Sequence, residues 1–331
     1  MKNEAWLDHI DETQHRISSI DNEQVRGLLP EMNLQYKRAL WAPTDGRAEP
    51  QRTAPAIARA VQAKGAAVLT NCAVRNIEVS GGKIIGVETE RGRISTPAVV
   101  VAGGAWSRLL LKGIGVTLPQ LKVVNSVLRT EPVHSGPQIT VRGHFFSVRL
   151  REDGGYTIST LVANDHDLTP DSFRFLRDFV PVLKREWRSV RPRIGHRFFQ
   201  EWRDMQRIRP GRLSPYEKTR ILDPKPNVAM SNAALGHLAQ AFPAFRNAKV
   251  AQHWAGVIDF TPDVVPVISN VDSVAGLTIA TGFSGHGFGL GLGAGRLTAD
   301  LVTGQTPIVD PTPFRFSRFT DGSKMIPLTG V

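Results

Sequence analysis

The 331-residue sequence predicts an α/β fold combined with antiparallel β structure, and three stretches carry that expectation. Residues 97–111, PAVVVAGGAWSRLLL, are an apolar run ending in two glycines and a helix start, as in a strand buried on both faces of a parallel layer. Residues 117–165 instead alternate or carry β-branched residues between polar turns, as antiparallel strands do. Residues 276–304, GLTIATGFSGHGFGLGLGAGRLTADLVTG, return to a strand, a glycine stretch and a helix stopped by Gly304.

In chain order, Asp21 to Gln24 before VRGLLPEM reads as a short capped helix stopped near Pro30. ALWAPTDGRAEP is a turn-rich loop. TAPAIARAVQAK, Thr53 to Lys64, spaces its apolar residues as a helix does, with Pro55 in the first turn and Gly65 at the C-terminal end. AAVLTNC reads as a strand, with Cys72 a buried thiol. VRNIEVS and KIIGVETE form a hairpin about Gly81-Gly82. LTPDSFRFLRDFVPVLKREW is helical from Thr169-Pro170-Asp171, and VAQHWAGVIDFTPDVVPVIS is strand and loop.

One cysteine excludes an internal disulfide and a multi-cysteine metal site, and Asp165, His166 and His253 do not make a metal set. The charged start MKNEAWLDHIDETQ has no signal-peptide core, and no stretch reaches the length of a membrane span, so the expected location is the cytoplasm. The net charge of +11 is concentrated in residues 184–212, with ten Lys/Arg against three Glu/Asp, interleaved with Trp187, Phe198, Phe199 and Trp202. Without a helix-turn-helix, zinc or RNA-binding signature, this reads as an irregular solvated segment, and nucleic acid is disfavoured as a partner.

Taken together, DGRAEPQRTAPAIARAVQAKGAAVLTNCAVRNIEV, VVVAGGAWSRLL, HWAGVIDFTPDVVPVIS and the closing glycine stretch resemble the flavin-dependent D-amino-acid oxidase, glycine oxidase and sarcosine oxidase superfamily. The resemblance runs in family order through most of residues 21–305. It implies FAD as cofactor and oxidation of an amine or amino acid C–N bond to an imine by hydride transfer. It also implies an FAD-binding, Rossmann-like domain (43–114 and 263–311) interleaved with a mostly antiparallel substrate-binding domain (1–42 and 115–262), followed by a tail (312–331). Members open with a strand, a G-x-G-x-x-G turn, a helix and an acidic residue. Residues 1–42 offer none of this, so the FAD-binding domain is expected to be incomplete. Three readings stay open: a fragment or mis-started product, a partner chain that supplies the unit, or a flavin-less remnant or interaction subunit. Residues 1–331 alone are then expected to bind FAD weakly.

Gly289, Gly291 and Ala294 spell G-x-G-x-x-A, but no second strand or acidic partner follows, so this is a decoy for the dinucleotide fingerprint. The resemblance instead lays Gly285, His286, Gly287, Phe288 and Gly289 against the flavin ring, where a Cβ would collide. It assigns Gly103, Gly104 and Trp106 to the cofactor border and Val74 to the adenine. His286 is a weak candidate base. The family's carboxylate-clamping arginine is absent near Ile258, where Asp259 stands instead. Asp259 facing the pocket would favour a cationic amine; facing away, it carries no role. Arg149 and Arg151, on one strand face by alternation, are weak candidates for a carboxylate clamp, with a solvated pair as the alternative.

Overall fold

The computed structural model describes residues 17–162, 164–187, 190–206 and 213–327. β1 (Ser18–Asp21) and β2 (Arg38–Trp41) pair antiparallel around α1 (Asn22–Leu28). Asp21 accepts the Gln24 N–H while the Gln24 side chain accepts the Asp21 N–H, a reciprocal cap that fixes where α1 starts. Residues 1–16 lie outside the described residues.

α2 (Pro50–Ala63) begins a turn earlier than the sequence suggested. Pro50, not Pro55, occupies the first turn, and Pro55 sits inside the helix, where it gives up one backbone hydrogen bond. β3 (Val74–Ser80), β4 (Lys83–Thr89) and β5 (Gly92–Ser95) form an antiparallel sheet. Gly81 and Gly82, with φ of 55° and 74°, supply the left-handed turn that the β3–β4 hairpin requires.

β6 (Val99–Val101), a 3₁₀ turn (Gly104–Trp106) and α3 (Ser107–Lys112) follow. β15 (Leu277–Thr281) pairs parallel with β6 and antiparallel with β14 (Val267–Asn270), making a second three-stranded sheet. Two sequence expectations fail here. Residues 66–73 form no strand: Val68 and Leu69 are exposed, and Cys72 is half-buried on an irregular segment. β6 is buried on one face only, with Val101 inside and Val100 exposed. Among the described residues no strand pairs with the outer edge of β6.

The larger sheet holds β7 (Leu121–Thr130), β8 (Val141–Arg142), β9 (Phe146–Leu150), β10 (Tyr156–Thr160), β11 (Asn164–Asp167), β12 (Val190–Arg193) and β13 (Val250–Phe260). α8 (Val228–Ala241) covers one face: Leu238 and Ala234 pack with Leu128, Val148, Ile158 and Tyr156, together with Val25 of α1 and Leu29 just after it. A second core joins Ile77 and Ile84 to Val101, Leu111, Leu118, Val267, Leu277 and Ile279. The expected C-terminal tail packs Phe316 and Phe319 on that core and buries Arg318, whose guanidinium pairs with Asp263 at 2.7 Å.

After β11 come α4 (Pro170–Arg174) and α5 (Leu176–Glu186), and after β12 come α6 (His196–Gln206) and α7 (Pro215–Lys218). The segment expected to be irregular therefore includes a strand and a helix; residues 188–189 and 207–212 of it lie outside the described residues. α9 (Gly287–Thr303) closes the fold and ends at Gly304 with φ of 67°, a left-handed stop. It starts six residues before GAGRLTADLVTG, so Gly287 to Leu292 are helical rather than loop.

Candidate functional site

The two glycine turns meet. The carboxylate oxygen Oδ2 of Asp259, near the end of β13, accepts from the Gly282 N–H at 2.7 Å, Gln120 Nε2 at 2.9 Å and Thr281 Oγ1 at 3.1 Å. Gln120 Nε2 also donates to the Gly104 carbonyl, as does Thr281 Oγ1. One carboxylate thus ties β13, the end of β15 and the turn after β6 together. A charged acceptor with three donors is held firmly in one place. Gly282 has φ of 76°, and a Cβ there would lie 2.5 Å from Thr261 Cγ2, so no other residue fits without a shift.

Past this staple the chain runs through Ser284 (φ 50°) and Gly285 (φ 90°) into α9. The two halves of α9 differ. Ala294 and Leu297 are buried against Ile268 of β14. The first half is open: Phe288, Leu290 and Leu292 are exposed, and a Cβ built on Gly289, Gly291 or Gly293 meets no atom within 4 Å. Glycine costs roughly 1 kcal/mol per position in a helix interior relative to alanine. An apolar, glycine-lined and uncovered helix start is thus a cradle of bare main chain, with the positive end of the helix dipole beside it.

The strand register shows what this cradle faces. Directly opposite residues share a sheet face. Ile258 pairs with Val123, Trp254 with Val127, Val127 with Ser159, Ser159 with Ser147, and Ser147 with Arg142. These residues therefore lie on the face away from α8. Gly285 lies over that face, because its built Cβ is 3.9 Å from Ile258 Cγ2. His286 is near enough to Arg142 for the guanidinium charge to act on it. Partial enclosure first, and that positive charge second, hold the imidazole below its ordinary pKa of 6.5, against an opposing hydrogen bond with Phe283. His286 is therefore neutral at pH 7.

The remaining sequence candidates are placed as follows. Arg149 and Arg151 share this open face but close on Glu49, just before α2, at 3.0 Å and 3.9 Å. The carboxylate they hold belongs to the chain. They line an open cleft of about 480 Å³ with Arg47 and Arg52. Gly103 and Gly104 form the turn after β6, Gly104 with φ of 52°. Trp106 lies edge-on to Tyr216 at 5.3 Å and borders a cavity of about 150 Å³ with Arg108 and Gln120. Val74 opens β3, the edge strand of its sheet. His166 Nδ1 meets the Lys122 carbonyl, His253 Nδ1 meets Ser231 Oγ, and Asp165 pairs with Arg193. No metal-binding cluster occurs among the described residues.

Two residues of the site escaped the sequence reading. Gln120 lies far in sequence from both partners it joins, and nothing local marks it. Arg142 belongs to a two-residue strand, and its face follows only once the β8–β9 register is known.

The model of a family described as DAO, FAD dependent oxidoreductase, matches residues 2–301. The human mitochondrial sarcosine dehydrogenase is 25% identical over 305 residues, which cover 89% of this chain and 28% of that protein. The glycine oxidase of Pseudomonas aeruginosa is 23% identical over 321 residues, 93% of this chain and 72% of the enzyme. The structure of L-amino acid deaminase from Proteus myxofaciens in complex with anthranilate superposes with a TM-score of 0.91 at 31% identity, covering 97% of this chain and 72% of that one. The chain thus spans little more than a quarter of the sarcosine dehydrogenase and nearly three quarters of the other two.

Proposed function

The chain belongs to the family of FAD dependent oxidoreductases, and from that premise we propose that it oxidises the C–N bond of an amino acid or related amine at the open face beneath the glycine turn. The observation that carries this reading is the bare, glycine-lined start of α9 set over the open sheet face that carries Ile258 and Arg142. It fits the ring end of a flavin: flat main chain, no Cβ in the way and a positive helix end. It also favours a flavin-binding protein over a flavin-less remnant, since uncovered helical glycines bring no stability of their own.

FAD, when bound, supplies the hydride acceptor for the C–H bond beside the nitrogen, leaving an imine that water hydrolyses. Gly285 to Gly289 would border its ring, and Gly103 and Gly104, tied to the same staple, would border it from the turn after β6. Asp259 keeps the two turns in register; its Oδ2 is directed to Gly282, so it serves position rather than the substrate amine. His286, held toward its neutral form, would add no charge beside the ring, and the substrate ammonium would lose its proton to solvent before hydride transfer.

Arg142 would hold the substrate carboxylate. It lies on the open face, and its charge reaches His286. The relative bound to anthranilate supports a site for an amine close to a carboxylate on a flat or bulky side chain. Ile258, in place of an arginine, leaves an apolar wall for that side chain. The substrate expected is therefore an amino acid larger than glycine. The dinucleotide end of FAD would be held by a strand–turn–helix unit of a partner chain pairing at the outer edge of β6, which no described strand occupies. No helix among the described residues is long and apolar enough to cross a membrane, and we place the reaction in the cytoplasm.

The test is product formation. FAD-loaded protein is incubated with an amino-acid panel and an artificial electron acceptor, and keto acid and ammonia are measured. Equal amounts of both from a bulky amino acid, with little from glycine, support the reading. Products from glycine alone, or none from any member while FAD stays bound, reject it.

A further inference from the structure

The cavity of about 150 Å³ beside the turn after β6 is left unused by the proposed reaction. β7 fixes its position. Lys122, which lines it, pairs with Asp259 and alternates with Val123, the partner of Ile258. Successive residues of a strand point to opposite faces, so the cavity lies on the far side of the sheet from the open face. Trp106, Leu109, Met205 and Leu222 give it an apolar wall.

The chain does not satisfy all the polar groups of this cavity. Arg108 is 4% exposed. Its Nη2 donates to Asp171 at 3.2 Å, but its buried Nε has no hydrogen-bond partner. Burial pulls the guanidinium below its ordinary pKa, against the opposing charge of Asp171, so the cation is short of compensation. Tyr216, edge-on to Trp106, has a buried Oη that also lacks a partner. Buried polar groups are paired almost without exception, so an unpaired one that borders a cavity marks the place of a bound group. At the rim, Asp223 is exposed and forms no ion pair or hydrogen bond with any described residue. The other cations of the lining are taken, Lys122 by Glu201 and Arg197 by Asp167.

These unmet groups select the ligand. A free donor inside and a free carboxylate at the rim suit a molecule with a carboxylate at one end and an ammonium at the other. A simple anion meets like charge at Asp223, and a simple amine leaves Arg108 Nε unpaired. Volume sets the size: a cavity of about 150 Å³ takes benzene, so a ligand of about six non-hydrogen atoms fits.

We propose that this cavity is a second site for a small zwitterionic amino acid, its carboxylate on Arg108 Nε and its ammonium toward Asp223, separate from the face where the reaction is placed. Gln120, which lines the cavity, also donates to Asp259 and to the Gly104 carbonyl. A ligand here therefore bears on the turn beside the proposed ring; that coupling rests on the proposed function, whereas the binding does not.

The experiment is equilibrium dialysis of the full chain, loaded with FAD, against radiolabelled glycine, which the proposed reaction turns over little. The expected result is one saturable site at millimolar glycine, with acetate and methylamine at least tenfold weaker as competitors. Asp223→Asn should weaken glycine binding tenfold or more. So should Arg108→Lys, which keeps a cation beside Asp171 and removes the Nε donor; if that variant unfolds, the exposed Asp223 decides. Arg142→Ala should bind glycine as the unaltered chain does. No saturable binding, acetate competing as well as glycine, undiminished binding in Asp223→Asn, or loss of binding in Arg142→Ala would each overturn the proposal. Glycine binding as expected, with no oxidation of any amino acid, would reject the proposed reaction alone.

Discussion

Gly289 has no neighbour within 4 Å of a built Cβ, so the fold by itself has no need of a glycine there. Gly289→Ala should stabilise the flavin-free protein by up to about 1 kcal/mol through helix propensity. If a ring lies on this face, the same change should weaken FAD binding; thermal melts without flavin and a flavin titration separate the two effects. A rise in stability with unchanged FAD affinity would remove the flavin from this face. Asp259→Ala should act oppositely, leaving the buried Gly282 N–H without its acceptor at a cost of about 1–3 kcal/mol, measured by denaturant unfolding. The residue types at both positions were legible in the sequence, but the direction of the Asp259 side chain was not, since strand alternation cannot say which of several donors an acid meets.

At the scale of elements, the sequence was most informative where local chemistry decides. The Asp21–Gln24 cap, the Gly81-Gly82 hairpin, the Gly304 stop and the alternating strands β7, β9 and β10 could all be read from neighbouring residues. It misled where partners decide. AAVLT has the composition of a strand but pairs with no described strand, and composition does not supply a ladder. GFGLGLG looked like loop because glycine disfavours helix, yet the buried second half of α9, packed on β14, carries the helix back to Gly287. The C-terminal segment offers a direct test of packing far from the site. Arg318 and Asp263 are both buried and doubly hydrogen-bonded. Arg318→Ala leaves the Asp263 charge uncompensated and should cost about 3–5 kcal/mol. A loss below 1 kcal/mol in urea unfolding would mean that residues 312–319 do not anchor the second core.

Across the whole molecule, ion pairs connect the segment after α7 to the β3–β4 sheet. Arg220 beside Glu90, and Arg75 beside Glu217, each hold the carboxyl near a pKa of about 2, from an ordinary 4.5. The folded pKa values lie below the unfolded ones, so this stabilisation is complete above about pH 4.5 and is lost as pH falls toward 2. Unfolding free energy should therefore drop across that window, and the drop should shrink in Glu90→Gln; a stability flat between pH 5 and 2 would contradict the pairing. The cradle and the sheet face carry one proposal, that an amino acid lies between Arg142 and the ring over Gly285. Its most direct test is anaerobic rapid-mixing of FAD-loaded protein with a bulky amino acid, following the bleaching of the flavin absorbance, in the unaltered chain and in Arg142→Ala. Loss of a charge-assisted carboxylate contact of about 1.5–3 kcal/mol predicts an apparent dissociation constant raised roughly ten- to hundredfold, with the rate at saturation little changed. The amine lacking the carboxylate should reduce both proteins alike. Equal affinity of both proteins for the amino acid, or no bleaching in either with FAD bound, would contradict the account.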